Sequence, residues 1–263
     1  MTKIPLLKDA DLVLNDAVAI LSFDRDDVRN ALTGTALVED IITTTEWINY
    51  NHKVAALIIT GKGKAFSSGG NVKDMHEKAG LFGGNPIEIQ DNYRRGIQKM
   101  ALALYRLEVP AIAAVNGAAI GAGLDVACMC DIRIGSEHAK VGETFVNLGI
   151  IPGDGGAWFL PRVVGKQRAA EMSFSGRIVE AEEAKKIGLL LEVIPAAKLV
   201  AHAQKMAEQF AKKPREALRI TKRLLQASER LESPDFLDYC AAQQSLCHTN
   251  DQHHKALKDF LSK

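Results

Sequence analysis

Two short stretches of the chain are apolar at every position, Val54–Ile59 in "VAALIIT" and Ala111–Val115 in "AIAAV". Unbroken β-branched and small apolar runs of this length predict strands buried on both faces. Leu12–Leu14 and Val18–Phe23 flank the turn pair Asn15-Asp16 and predict two strands joined tightly. Ile132–Ile134 and Leu189–Ile194 are further strand candidates. Leu37, Val38, Ile41, Ile42 and Ile48 recur at helical spacing, with Thr33 placed to cap that helix. Ile89–Leu107 predicts one long helix and Leu124–Cys130 a short one. Val72–Gly84 reads as a helix fragment and a glycine-rich loop. Beyond Pro195 the character changes: Ala196–Lys212, Pro214–Ser228, Pro234–His248 and Gln252–Leu261 all predict helices. The pattern divides the chain into a strand–helix core, 1–195, and a helical region, 196–263.

Composition narrows the class. With 263 residues, 47% hydrophobic and 25% charged, the chain can bury a sizeable core. A formal net charge of +1 gives no reason to expect nucleic acid or an anionic membrane as partner. No apolar run is long enough to span a bilayer, and the first sixteen residues do not read as a secretory leader. Cys128 and Cys130 sit one residue apart in an apolar run, which is not zinc spacing; buried free thiols in a cytoplasmic setting are expected, with no metal. His253-His254 lacks a ligand set. Lys212-Lys213 and Lys222-Arg223 read as solvated faces.

Two strands end in small-residue turns, Thr60 into "GKGKAFSSGGN" and Val115 into "NGAAIGAGLD". Neither has the Gly-Lys-Ser/Thr of a phosphate loop nor G-x-G-x-x-G, so a nucleotide-binding dehydrogenase is disfavoured. Small residues let a ligand approach the backbone. Two N–H groups converging from such turns form an oxyanion hole, and a helix starting at the second turn adds its dipole. The other reading is that the glycines only permit tight helix–strand packing.

The stretches "VRNAL" (Val28–Leu32), "LIITGKGKAFSSGGNVKDM" (Leu57–Met75), "VPAIAAVNGAAIGAGLDVACMCDIRIGSEHAKVG" (Val109–Gly142) and "LGIIPGDGGAWFLPRVVGKQRAAEM" (Leu148–Met172) resemble the crotonase superfamily of enoyl-CoA hydratases and isomerases. The resemblance runs in order over nearly the whole chain. It implies an α/β fold, a spiral of ββα turns with a C-terminal helical region, assembled as a homotrimer or a dimer of trimers. It implies an acyl-CoA substrate, with coenzyme A entering as part of the substrate and no permanently bound cofactor. The oxyanion donors would be the N–H groups of Gly70 and Ala122, the latter where the family usually has glycine. Ser68, Gly70, Asn71, Val72 and Lys73 would line the thioester and pantetheine. Arg29 and Ala31 would lie by the CoA phosphates and adenine. Phe260 and Lys263 fall where a terminal helix reaches a CoA molecule, commonly a neighbouring subunit's.

Hydration of an enoyl thioester needs two proton-handling groups. The family's first glutamate corresponds to Asp125, one methylene shorter and so about 1.5 Å less in reach. As a bland alternative, Asp125 answers the helix dipole. The second glutamate position falls on Phe145, which cannot carry a proton. Glu143, two residues earlier, returns to the same face if the chain is extended. Asp154, in "IIPGDGGAW", is the better replacement; its alternative is a turn aspartate bonded to its own backbone. Met75, Phe82 and Trp158 are candidates for the acyl pocket, and Trp158 and Phe159 are expected to pack under the turn. The expected reaction is hydration of a 2-enoyl-CoA. Isomerisation or C–C or thioester hydrolysis follows within the same class, and a catalytically poor CoA-binding scaffold stands outside it.

Overall fold

The computed structural model describes residues 3–262; Lys263 lies outside the described residues. The strands run in chain order as β1 (Ala10–Asn15), β2 (Val18–Phe23), β3 (Ala56–Gly61), β4 (Ala65–Ser67), β5 (Ala111–Val115), β6 (Ala118–Ile120), β7 (Ile132–Ser136), β8 (Lys140–Gly142), β9 (Val179–Glu180) and β10 (Glu192–Ile194). The helices are α1 (Leu37–Tyr50), α2 (Val72–Glu77), α3 (Pro86–Arg95), α4 (Ile97–Tyr105), α5 (Ala122–Met129), α6 (Gly156–Val164), α7 (Lys166–Ser175), α8 (Ala181–Lys186), α9 (Leu199–Ala211), α10 (Arg215–Ala227), α11 (Ser233–His248) and α12 (Asp251–Leu261).

The chain alternates between two sheets. One has the order β1-β2-β3-β5-β7-β10, parallel except for β1; the other is β4-β6-β8-β9, parallel except for β9. Successive pairs β3/β4, β5/β6 and β7/β8 each give one strand to each sheet, which is the expected α/β spiral. The apolar runs of β3 and β5 are buried throughout. Leu57 and Ile59 face the main core with Ile41, Ile48 and Leu104, while Ala56 and Ile58 face Leu199, Ala203 and Ala207 of α9. Each fully buried Leu or Ile contributes about 1.5–3 kcal/mol. Although it follows Pro195, α9 covers a face of the first sheet. By contrast, α11 and α12 have no buried residues.

Several local expectations change. Thr33 does not cap α1. The helix begins four residues later, and the Thr33 hydroxyl instead accepts a hydrogen bond from Asn71 N–H at 2.7 Å. The segment Ile89–Leu107 is broken at Gly96, whose φ of −105° and ψ of −111° separate α3 from α4. The last strand shrinks to Glu192–Ile194. Lys222 is not on a solvated face: it is 5% exposed, and its ammonium donates to Val109 O and Asp131 Oδ2, both at 2.8 Å. Among the described residues, no helix is long and apolar enough to cross a membrane.

Candidate active site

The second sheet sets the site. Ser67 of β4 pairs with Ala119 of β6, and Ile120 of β6 with Gly142 of β8. Because these strands are parallel, their C-terminal ends lie together, where ligand sites of parallel sheets collect. Three segments therefore emerge side by side: Ser68–Gly70, Gly121–Asp125 and Glu143–Phe145.

The first two segments form the glycine turns. Gly69 has φ +76°, and a Cβ there would stand 2.5 Å from Ile120 O and 3.0 Å from Ala122 N. Only glycine permits this approach. Neither the Gly70 N–H nor the Ala122 N–H has a hydrogen-bond acceptor among the described residues. Ala122 is the first residue of α5, so its Cβ sits in helical backbone without strain and its N–H is one of the helix's free donors. Both N–H groups thus lack an internal acceptor at the C-terminal ends of β4 and β6.

The segment before α1 braces the first turn. Ala31 bridges to Gly69, Leu32 N–H donates to Gly69 O at 2.7 Å, and Ser68 N–H donates to Arg29 O at 2.9 Å. Asn30 between them has φ +53° and is fully buried. Its side chain accepts from Arg25 N–H at 2.8 Å and donates to Lys62 O at 3.0 Å and Ala65 O at 2.8 Å. Sequence reading passed over Asn30; the signal was an asparagine tolerating left-handed backbone inside "VRNAL". Asn71 spends its side chain capping α2, accepting from Lys73 N–H at 3.0 Å. Arg29, Val72 and Lys73 are exposed beside these turns. Phe260 is 76% exposed on α12, which packs on α11 and, through Gln252, on the start of α10.

Below the turns lies a cluster of carboxyls. Asp125 follows Ala122 by three residues and so shares its face of α5. Asp125 is 0% exposed, Glu143 1% and Asp154 3%. A Cβ on Gly156, the first residue of α6, would fall on both Asp125 Oδ1 and Glu143 Oε1, so these two carboxyls are in contact. The Asp154 carboxyl is also beside Asp125, close enough that each shifts the other's titration. Burial pushes the Asp125 carboxyl well above the usual carboxylate range, and the charges of Asp154 and Glu143 push it the same way. Burial also raises Asp154, and raises Glu143 to about 7. On both, the hydrogen bond from Asp125 acts in the opposite sense. Cys128, one turn further along α5, is pushed up to about 12 by burial and stays a neutral thiol.

The structure revises the reading of Glu143 and Phe145. The chain is not extended there, because β8 ends at Gly142 and a 3-10 turn begins at Phe145. The two side chains diverge: Glu143 goes inward to Asp125, and the Phe145 ring lies 3.5 Å from where a Gly121 Cβ would be. Asp154 also borders an open groove of about 450 Å³, lined by Gln98, Leu102, Tyr105, Trp158 and Phe159 among others. Tyr105, Trp158 and Phe159 stack edge-to-face along it. Met75 and Phe82 instead lie over Gly70.

Two N–H groups without internal acceptors and a buried carboxyl cluster are together an arrangement that can stabilise an oxyanion beside a proton-transfer site. The sequence matches the family model described as "Enoyl-CoA hydratase/isomerase" over residues 14–263, and the chain belongs to this family. It is 34% identical over 214 residues to the "Probable enoyl-CoA hydratase, mitochondrial" of Dictyostelium discoideum, covering 81% of this chain and 74% of that one. It is 32% identical over 247 residues to the short-chain-enoyl-CoA hydratase of Clostridium acetobutylicum, covering 94% and 92%. The crystal structure of enoyl-CoA hydratase from Bacillus anthracis is similar with a TM-score of 0.88 at 30% identity, over 97% of this chain and 96% of that one.

Proposed function

We propose that the chain hydrates a 2-enoyl-CoA thioester. The observation that carries this reading is that Ala122, whose N–H like that of Gly70 has no acceptor, packs on Gly69 and lies one turn of α5 before the buried Asp125. The thioester oxygen accepts from both N–H groups, which stabilise the negative charge that develops there, helped by the α5 dipole. The oxygen of water bonds to the β-carbon while one of its protons passes to the Asp154 carboxylate. The proton held by Asp125 goes to the α-carbon. The proton on Asp154 then crosses to Asp125 through their contact, and the site is reset. The relatives described as hydratases support the same reaction.

Coenzyme A enters as part of the substrate, with no cofactor held between turnovers. Ser68 and Asn71–Lys73 line its pantetheine, and Arg29 and Ala31 lie by its phosphates and adenine. Phe260 and Lys263 reach the CoA of a neighbouring subunit. In this reading 1–195 is the catalytic core and 196–263 joins subunits into a homotrimer or dimer of trimers. Exposed Leu237, Leu246, Leu257 and Phe260 on α11 and α12 support that role. Free thiols at Cys128, Cys130, Cys240 and Cys247 fit a cytoplasmic setting.

The test is turnover on short, long and aromatic 2-enoyl-CoAs, following loss of the conjugated-thioester absorbance and weighing the products. A mass gain of one water on any member is the expected result. Conversion at unchanged mass would make the enzyme an isomerase, the reading that Phe145 at the second acid position favours. Binding without conversion would leave a scaffold.

A further inference from the structure

We propose that Glu143 is a positioning carboxyl of this site: it takes the hydrogen bond of the Asp125 hydroxyl in the resting enzyme and leaves Asp154 free to accept a proton from water. The inference rests on the reading that Asp125 and Asp154 carry the proton transfers.

Three separate elements build the cluster: Asp125 from α5, Glu143 from the segment after β8, and Asp154 from the turn before α6. Gly156 holds it open, because the place of its absent side chain is occupied by Asp125 Oδ1 and Glu143 Oε1, with Asp125 Cγ 2.7 Å from that point. Both oxygens of Asp125, both of Glu143 and Oδ1 of Asp154 are buried with no donor from any other residue described. The titratable groups facing them are Cys128 on α5 and, beside Asp154, Tyr93 on α3. Neither is a cation. Ionised carboxylates in contact in such surroundings repel strongly, so the cluster retains at least one shared proton.

That proton has a choice to make. A carboxylic acid carries one O–H and donates to one partner at a time. Asp125 faces two acceptors, Asp154 at the groove wall and Glu143 behind it. When Asp125 donates to Glu143, Asp154 keeps its lone pairs for a water in the groove. When Asp125 has delivered its proton to the α-carbon, the proton taken up by Asp154 crosses to Asp125, and the bond to Glu143 re-forms. No proton is gained or lost over the cycle. Burial lifts the Glu143 carboxyl to about 7, so it becomes an ionised acceptor only as pH approaches neutrality.

The test is Glu143→Gln, which keeps the size but replaces a carboxylate oxygen by an N–H donor, so the amide can hold Asp125 ionised and no longer fixes its proton. The expected result is kcat lowered about tenfold or more with KM within about twofold, and displacement of the kcat–pH limb near neutrality. In the substrate-free enzyme, the infrared carbonyl stretch of a protonated carboxyl should titrate at a different pH in the variant. Should Glu143→Gln fail to fold, Glu143→Asp carries the same two readouts, with a displaced rather than abolished limb. A pH profile and infrared titration that superimpose on those of the parent overturn the inference. If Asp125→Asn and Asp154→Asn abolish turnover while Glu143→Gln is silent, only this inference falls. If all three leave turnover intact, the proposed function falls with it.

Discussion

Gly156 stands against Asp125 so closely that any side chain at position 156 would displace the carboxyl, whose Cγ is 2.7 Å from where the Cβ would be. The α5–α6 contact is therefore set by the carboxyl cluster and not by apolar packing alone. Gly156→Ala should lower stability by about 1–3 kcal/mol, the usual cost of overpacking, and turnover should fall with it because the Asp125 oxygens must move. Thermal unfolding together with kcat measures both. An unchanged melting temperature would mean that the carboxyls yield freely.

Ala122 offers a way to delete a donor without deleting a side chain. It is the first residue of α5, the helical position where proline is best tolerated, because that N–H has no intrahelical acceptor. Ala122→Pro should keep the helix start and lower kcat on an enoyl thioester by at least about 100-fold, because the ring removes one oxyanion donor and stands in its place beside Gly69. Circular dichroism and steady-state kinetics on the same sample separate the two effects. Full activity in a folded Ala122→Pro protein would remove Ala122 from the oxyanion hole.

The cluster should also make stability depend on pH in an unusual direction. Glu143 has an ordinary carboxyl value of 4.5 when unfolded and about 7 when folded. Between these values the native state binds more protons than the unfolded one, so stability falls as pH rises. The favourable contribution is complete below 4.5 and is lost once pH passes about 7, at a slope of up to about 1.4 kcal/mol per pH unit for one proton. Urea unfolding from pH 4.5 to 8 should show this decline, and Glu143→Gln should lessen it, leaving the part due to the raised Asp125 and Asp154 carboxyls and gaining on the parent at the alkaline end. A parallel pair of curves would mean that Glu143 is ionised throughout.

What the sequence revealed follows pattern length. The strands β2, β3 and β5 carry four or five apolar residues each and were readable as apolar runs. The second sheet was not, because "AFS", "AAI" and "KVG" are three residues long and become strands only by pairing with one another. Asp125 and Asp154 were singled out through the family resemblance, and the structure buries both. The partnership of Glu143 was missed because it depends on the β6–β8 register, which brings Gly142 beside Ile120 and so aims the next residue at α5. Gly96 is one glycine in an otherwise helical run, and nothing in the local pattern distinguishes a tolerated glycine from a break.

Lys222 was misread for a related reason: an amphipathic helix with cations on one face looks solvated until its neighbours are known. On α10 its ammonium reaches inward to Val109 O and Asp131 Oδ2, and the same Oδ2 accepts Ala111 N–H at 2.7 Å. Lys222 therefore pins the helical region to the start of β5, the strand that leads into the second glycine turn. Lys222→Met keeps the stem and removes the donor, leaving Val109 O buried without its partner. The expected loss is about 1–3 kcal/mol, read as a lower urea midpoint at unchanged slope. Asp131 is partly exposed and can be hydrated, so most of the loss belongs to the carbonyl. Adding Asp131→Asn to Lys222→Met should then recover only a small part of the stability. Recovery of the whole loss in the double variant would show instead that the stranded carboxylate, and not the carbonyl, makes the single substitution costly.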